Sequence, residues 1–280
     1  MNTMATTTER AQPGHVAGIA YLRRSGRDGV VPLILLHGIG SNAHSFEPLI
    51  AALPASTDVL AWHAPGYAAS VALANASPTP DAYAKALSDL LDALDITRVT
   101  LVGHSLGCLF AARLAASQPD SVRALALLSP ALGYQVSPGE ALPPNVQSRI
   151  DEVRTLGPQA FADKRAARLV HQPERKPGVV AAVRAAMAAV HPEGYSQAVV
   201  ALGAGDLLAD AVRIKAPTLV AVGAQDAVTP PAQARAVHAA LQRPMGYHEI
   251  AGTGHALPQE DPAAVARLLV SLMEGTDADL

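Results

Sequence analysis

The sequence predicts an α/β fold: a mostly parallel, doubly wound sheet with helices on both faces and a helical insertion. Three observations predict it. Short, unbroken apolar runs alternate with longer stretches of helical spacing, the mark of strands buried on both faces. Several of those runs end in glycine-containing turns, where a strand hands over to a loop or helix. One long stretch, 133–205, has no strand-like run, and the alternation resumes near Ala216. The core is therefore assigned to 1–132 and 206–280, with 133–205 as the helical insertion.

The elements follow in order. His15–Leu22 reads as one extra strand in an N-terminal hairpin, after a first dozen residues expected to fray. Leu33–Leu36 is an apolar run closed by His37-Gly38, and Val59–Trp62 follows a helix-like stretch. Pro80–Leu94 places Leu87, Leu90, Leu91 and Leu94 at helical spacing. Val99–Val102 is a strand, followed by Gly103 and an alanine-rich helix to about Ser117. Ala124–Leu128, Thr218–Val222 and Met245–Ile250 are further strands, and Pro231–Leu241 and Pro262–Glu274 are helices. Asp261 suits the N-cap before Pro262, where the missing N–H of proline costs nothing. Prolines divide 133–205 into alanine-rich helical pieces. Right-handed crossovers then bring the C-terminal ends of the parallel strands to one edge, where ligands bind in such folds.

Composition narrows the function. The chain has 280 residues, 50% hydrophobic and 16% charged, which fits one large globular domain. About a fifth of the residues are alanine. The apolar runs are strand-sized, far below the roughly 18–20 residues of a spanning helix, so no membrane partner is expected. The net charge of −3, without a basic run, gives nucleic acid no electrostatic foothold. The one cysteine, Cys108, forms neither an internal disulfide nor a thiolate metal site. The polar N-terminus lacks the apolar segment of a signal peptide. A cytoplasmic monomer or homodimer acting on a small molecule is expected, with no metal or cofactor.

The chemistry concentrates at strand ends. Gly103-His104-Ser105-Leu106-Gly107 is a G-x-S-x-G pattern between a predicted strand and a predicted helix. Such a turn strains the serine backbone, removes clashing side chains and exposes the hydroxyl beside a helix N-terminus. A serine needs a base, and His255 follows Gly252-Thr253-Gly254 after the last strand. The base needs an orienting carboxylate, and Asp226 follows the Thr218–Val222 strand. Asp206 and Asp210 compete, but they precede that strand. The order Ser105, Asp226, His255 is that of the nucleophile-elbow hydrolases. The loop His37-Gly38-Ile39-Gly40 offers oxyanion donors: Ile39 first and Gly40 in reserve, paired with Leu106. Gly38, Gly40, His104, Tyr134, Phe161, Arg168 and Met187 are expected to contact substrate, although the His104 ring should turn away from the elbow. Arg149, Arg165, His171, His191 and Tyr195 also stand in the insertion, which the sequence alone does not orient.

These motifs, with Pro65-Gly66-Tyr67 and Ser70, make the chain resemble the α/β-hydrolase fold family across most of its length. It is similar to the small bacterial branch of esterases, enol-lactone hydrolases and hydrolases of ring-cleavage products. The resemblance implies that 133–205 caps the site. It implies an ester or lactone hydrolase working through an acyl-serine. The alternatives are a carbon–carbon bond hydrolase of a ring-cleavage dienoate and a non-catalytic ligand-binding member of the fold. There are departures. His63 stands where the family usually has the aspartate of Asp-x-Pro-Gly, and is expected to contact the site rim. Cys108 replaces a common second glycine and is expected to be a core residue. Ala256 replaces the tryptophan seen beside the histidine in many carbon–carbon hydrolases.

Overall fold

The computed structural model describes residues 10–137 and 139–277. They form an eight-stranded sheet with helices on both faces, as the sequence predicts. The strands are β1 (Gln12–Val16), β2 (Ile19–Arg24), β3 (Leu33–Leu36), β4 (Val59–Trp62), β5 (Val99–His104), β6 (Val122–Leu128), β7 (Thr218–Gly223) and β8 (Pro244–Ile250). Their order is β1-β2-β4-β3-β5-β6-β7-β8. The pairs β1–β2 and β2–β4 are antiparallel, and every later pair is parallel. The central strands β3, β4 and β7 are buried at every position, which is why they read as unbroken apolar runs.

The N-terminal hairpin corrects the single strand expected over His15–Leu22. That span crosses the turn between β1 and β2. Ala17 and Gly18 both take positive φ, at 50° and 76°, the two-residue geometry that closes a tight hairpin. Residues 1–9, where fraying was expected, lie outside the described residues, and Gln12 already belongs to β1.

Helices α1 (Glu47–Ala52) and α2 (Pro80–Ala93) precede the elbow helix α3 (Gly107–Ser117). On α2, Leu87, Leu90 and Leu91 are buried, as their spacing requires. One face of the sheet packs Trp62, Tyr83, Phe110 and Leu87, with the Tyr83 and Phe110 rings stacked at 4.2 Å. The other face packs Phe46 and Leu49 against Val265 and Leu269.

Between β6 and β7 lie α4 (Pro144–Arg165), α5 (Pro177–Ala188), α6 (Pro192–Ala204) and the short α7 (Leu207–Ala211). The described residues of 133–205 contain no strand. Helix α4 packs on α5 and α6 and breaks at Gly157-Pro158, where Gly157 takes φ 75°. The chain ends with α8 (Pro231–Ala240), the one-turn α9 (Leu257–Glu260) and α10 (Pro262–Asp277). Asp261 Oδ1 accepts from Ala264 N at 2.9 Å, as expected of the cap. None of the described helices is long and apolar enough to cross a membrane.

Candidate active site

The site is built at the C-terminal ends of β3, β5, β7 and β8. Ser105 sits between β5 and α3 with φ 53°, a left-handed conformation that costs a non-glycine residue energy. Its neighbours make room for the turn. A Cβ on Gly103 would lie 2.6 Å from Cys108 Cα, and one on Gly107 would lie 2.1 Å from the Leu36 carbonyl oxygen. Ser105 N donates to Leu128 O at 2.9 Å, pinning the turn to β6. Cys108 is fully buried and its Sγ–H donates to Gly103 O at 3.2 Å, so it is a core residue. Burial pushes its thiol pKa up.

Ser105, His255 and Asp226 come together. His255 Nε2 lies 3.0 Å from Ser105 Oγ, and His255 Nδ1 lies 2.9 Å from Asp226 Oδ2. The bond to the carboxylate puts the proton on Nδ1 and leaves Nε2 free to accept from the serine. Burial opposes ionisation of Asp226, but His255 and the Thr229 and Val228 amides outweigh it and hold its carboxyl at about 2. Those amides donate to Oδ1 at 2.9 and 2.8 Å. Asp206 instead caps α7, and buried Asp210 faces Arg113, so neither competes.

Two supports were not anticipated. The Thr229 hydroxyl lies 3.0 Å from Asp226 Oδ2, 3.0 Å from Ser129 O and 3.1 Å from His255 Nδ1. The signal for it was faint: Thr229 stands three residues after Asp226, the spacing at which an aspartate caps a turn. The Glu260 side chain is fully buried; it accepts from Gly254 N at 2.8 Å and from His171 N at 3.0 Å, and takes the Lys176 ammonium at 2.8 Å. It thereby ties the His255 loop to the segment that follows α4. Nothing in the sequence around one-turn α9 marks it.

Among the described residues, neither Ile39 N nor Leu106 N has a hydrogen-bond acceptor. Gly40 N already points at the Tyr67 hydroxyl, 3.5 Å away, which favours Ile39 over it.

Above Ser105 lies a cavity of about 500 Å³. Ile39, Gly40, Leu106, Tyr134, Phe161, Arg168 and Met187 line it, and so do Arg149, Arg165 and Tyr195. Gly38 and His104 do not; with Ile39, Gly40 and His255 they line a much smaller cavity beside it. A Cβ on Gly38 would lie 2.9 Å from Ser105 Cβ, so that residue packs behind the serine. The His104 ring turns under the His255 loop, and its Nε2–H donates to His255 O at 2.8 Å. Neither His171 nor His191 lines the cavity. His63 also misses it: its Nδ1 accepts from Ala43 N at 3.4 Å. His37 supports the neighbouring loop, with Nε2 accepting from Ala64 N at 3.0 Å. Among the described residues, no three His, Cys, Asp or Glu side chains gather as a metal site would require.

The supporting histidines make the fold acid-sensitive. Burial lowers His37 to about 3, and lowers His63 and His104 to about 4. A histidine whose folded-state pKa is lowered opposes folding as pH drops below its unfolded value of about 6.5. At pH 5 each of the three costs about 2 kcal/mol by this linkage. Asp210, raised to about 6 by burial, works the other way and returns about 1 kcal/mol. The melting temperature is therefore expected to fall by roughly 10 °C between pH 7 and pH 5. His63→Gln should flatten that slope by about two-fifths. A flat profile measured by calorimetry would show that these rings do not stay neutral in the fold.

Comparison with known proteins follows the geometry. A family model described as the alpha/beta hydrolase fold matches residues 31–262. A pimeloyl-acyl-carrier-protein methyl ester esterase of Neisseria meningitidis serogroup A is 29% identical over 227 residues, covering 79% of this chain and 70% of that protein. The crystal structure of the enol-lactonase from Burkholderia xenovorans LB400 superposes with a TM-score of 0.82 at 27% identity, covering 94% of this chain and 100% of the other. A thermophilic esterase from Thermogutta terrifontis shares the fold, with a TM-score of 0.81 at 23% identity, covering 96% and 98%.

Proposed function

Because the chain belongs to the α/β-hydrolase fold family, we propose that it is a serine hydrolase of a small carboxylic ester or lactone. The observation that carries this is the unbroken hydrogen-bonded chain from Ser105 through His255 to Asp226 at the floor of a cavity. The esterase and enol-lactonase relatives support the same chemistry.

The mechanism follows from the atoms. Ser105 Oγ attacks the substrate carbonyl as His255 Nε2 takes its proton. Asp226 holds the ring in that tautomer and stabilises the imidazolium. The amides of Ile39 and Leu106 receive the oxyanion. His255 then returns the proton to the leaving oxygen, and the alcohol departs, or the freed hydroxyl stays tethered if the substrate was a lactone. Water enters, loses a proton to His255 and attacks the acyl-serine. The second tetrahedral intermediate collapses, releasing the acid and restoring Ser105. The residues of 133–205 act as a cap over this floor. No step calls for a metal or cofactor.

The arginines lining the cavity also fit the second reading, carbon–carbon cleavage of a dienoate acid. One panel separates the two. It contains 4-nitrophenyl acyl esters, an enol-lactone and a ring-cleavage dienoate, with a fluorophosphonate to trap the nucleophile. The expected result is ester or lactone turnover and a single adduct on Ser105. Dienoate turnover far above the esters would favour the second reading. No turnover and no adduct would overturn both, leaving ligand binding alone.

A further inference from the structure

The charge of the cavity points to its substrate. Three arginines line it, Arg149, Arg165 and Arg168, and no aspartate or glutamate does. Only one of the three is neutralised. Arg165 forms a two-point ion pair with Glu152, at 2.8 Å through Nε and 2.6 Å through Nη2, while its guanidinium lies over the Phe161 ring at 5.1 Å. Arg149 and Arg168 have no carboxylate partner among the described residues. Arg149 is half-buried and Arg168 exposed. A half-buried cation without a counter-ion is costly to keep, and the cavity supplies no internal carboxylate to offset it.

The two arginines hold different places. Burial raises the pKa of the Tyr195 hydroxyl, and Arg149 pulls it back, which puts that guanidinium beside the buried phenol. The same Tyr195 ring covers the oxyanion loop, where a Cβ on Gly40 would lie 3.6 Å from its Cε2. Tyr195 therefore spans from the reaction floor to Arg149. A substrate whose carbonyl sits at Ser105 meets a cation at its far end.

Resting on the serine-hydrolase reading, we propose that the substrate is an ester or lactone carrying a second, anionic carboxylate, held by Arg149 and Arg168. A planar guanidinium matches a carboxylate through paired N–H donors. The product would then be a dicarboxylate, or a hydroxy-dicarboxylate when a lactone opens.

The test compares the monomethyl and dimethyl esters of the same straight-chain dicarboxylic acids, in a series of increasing length. Wild type is expected to prefer the half-ester by at least ~10-fold in kcat/KM at one optimal length. In Arg149→Gln/Arg168→Gln the ratio of half-ester to diester should fall to about one, chiefly through KM. Arg154→Gln, at an exposed arginine of α4, which also carries Arg149, lies outside the cavity and serves as the control whose ratio stays at the wild-type value. Equal rates for the two esters in wild type, or a preference that survives the double substitution, would overturn the proposal. A second arm is independent of turnover. Calorimetry with Ser105→Ala measures binding of the free dicarboxylate, with and without the two arginine substitutions. If neither ester reacts in wild type but dicarboxylate binding depends on the arginines, the hydrolase reading fails and the anion site stands. If the dicarboxylate binds no better than its dimethyl ester, the anion site fails, whatever the rates.

Discussion

Ser105→Ala is expected to lower kcat/KM for the best ester by about 10⁶, and Asp226→Asn by about 10⁴. The difference follows from what each substitution leaves behind. Alanine removes the attacking oxygen, so only cavity binding and the Ile39 and Leu106 amides remain. Asparagine keeps an oxygen for the Val228 and Thr229 amides, which spares the turn. It presents an NH2 group to His255 Nδ1, however, and the ring must then carry its proton on Nε2, facing Ser105 Oγ. A base that already holds a proton on that nitrogen cannot take one from serine. Since the two residues act as one device, Ser105→Ala/Asp226→Asn should be no slower than Ser105→Ala alone. Steady-state kinetics on the three purified variants, with melting curves to show that each folds, decides the matter. Asp226→Asn retaining more than about a tenth of wild-type activity would remove Asp226 from the triad.

Much of this architecture is legible in the sequence because central parallel strands and a nucleophile elbow are local facts. Val59–Trp62 is buried on both faces, so its four residues must all be apolar, and the strand is read to the residue. Strand β1 is different. Its Gln-Pro-Gly-His start is largely exposed and carries no apolar alternation, and the Ala17-Gly18 turn lacks the usual Asn-Gly signature. A single strand over His15–Leu22 therefore looks continuous in the sequence although the chain turns at Ala17-Gly18. Within the site, Ser105, Asp226 and His255 each follow a strand, so chain order locates them. The supporting groups are set by tertiary contacts that no spacing encodes. Thr229 reaches Ser129, 100 residues away, and Glu260 reaches Lys176, 84 residues away. Cavity lining by the helical segment is equally non-local. On α4, Arg149 and Arg165 line the cavity while Arg154 is exposed outside it, a choice made by the packing of α4 on α5 and α6. His104 shows the limit from the other side. It directly precedes Ser105, and alternation along the end of β5 turns its ring beneath the His255 loop, 151 residues away in the chain.

Gly107→Ala is expected to destabilise the fold by at least about 3 kcal/mol and to cut kcat by about 10²-fold in whatever folded protein remains. The added methyl would sit 2.1 Å from the Leu36 carbonyl oxygen and 2.7 Å from its carbon. Both are backbone atoms of β3, a central strand paired on both sides, so neither can rotate away. Gly107 takes no left-handed φ, so the penalty is steric contact between α3 and β3, not dihedral strain. The catalytic loss has its own geometry. Leu36 ends the strand that leads into Ile39, and Gly107 directly follows Leu106. Pushing Gly107 off Leu36 widens the gap between the two amides proposed to hold the oxyanion, and a misplaced donor acts on the transition state more than on substrate binding. The fall should therefore appear in kcat with little change in KM. Gly103→Ala, 2.6 Å from Cys108 Cα, is expected to behave alike. Gly178→Ala is the counterpart: it lies in the first turn of α5 with nothing within 4 Å, and alanine there should leave stability unchanged or raise it by up to about 1 kcal/mol. Thermal melts and steady-state rates on the three variants test the claim, which fails if Gly107→Ala melts within a few degrees of wild type with kcat intact.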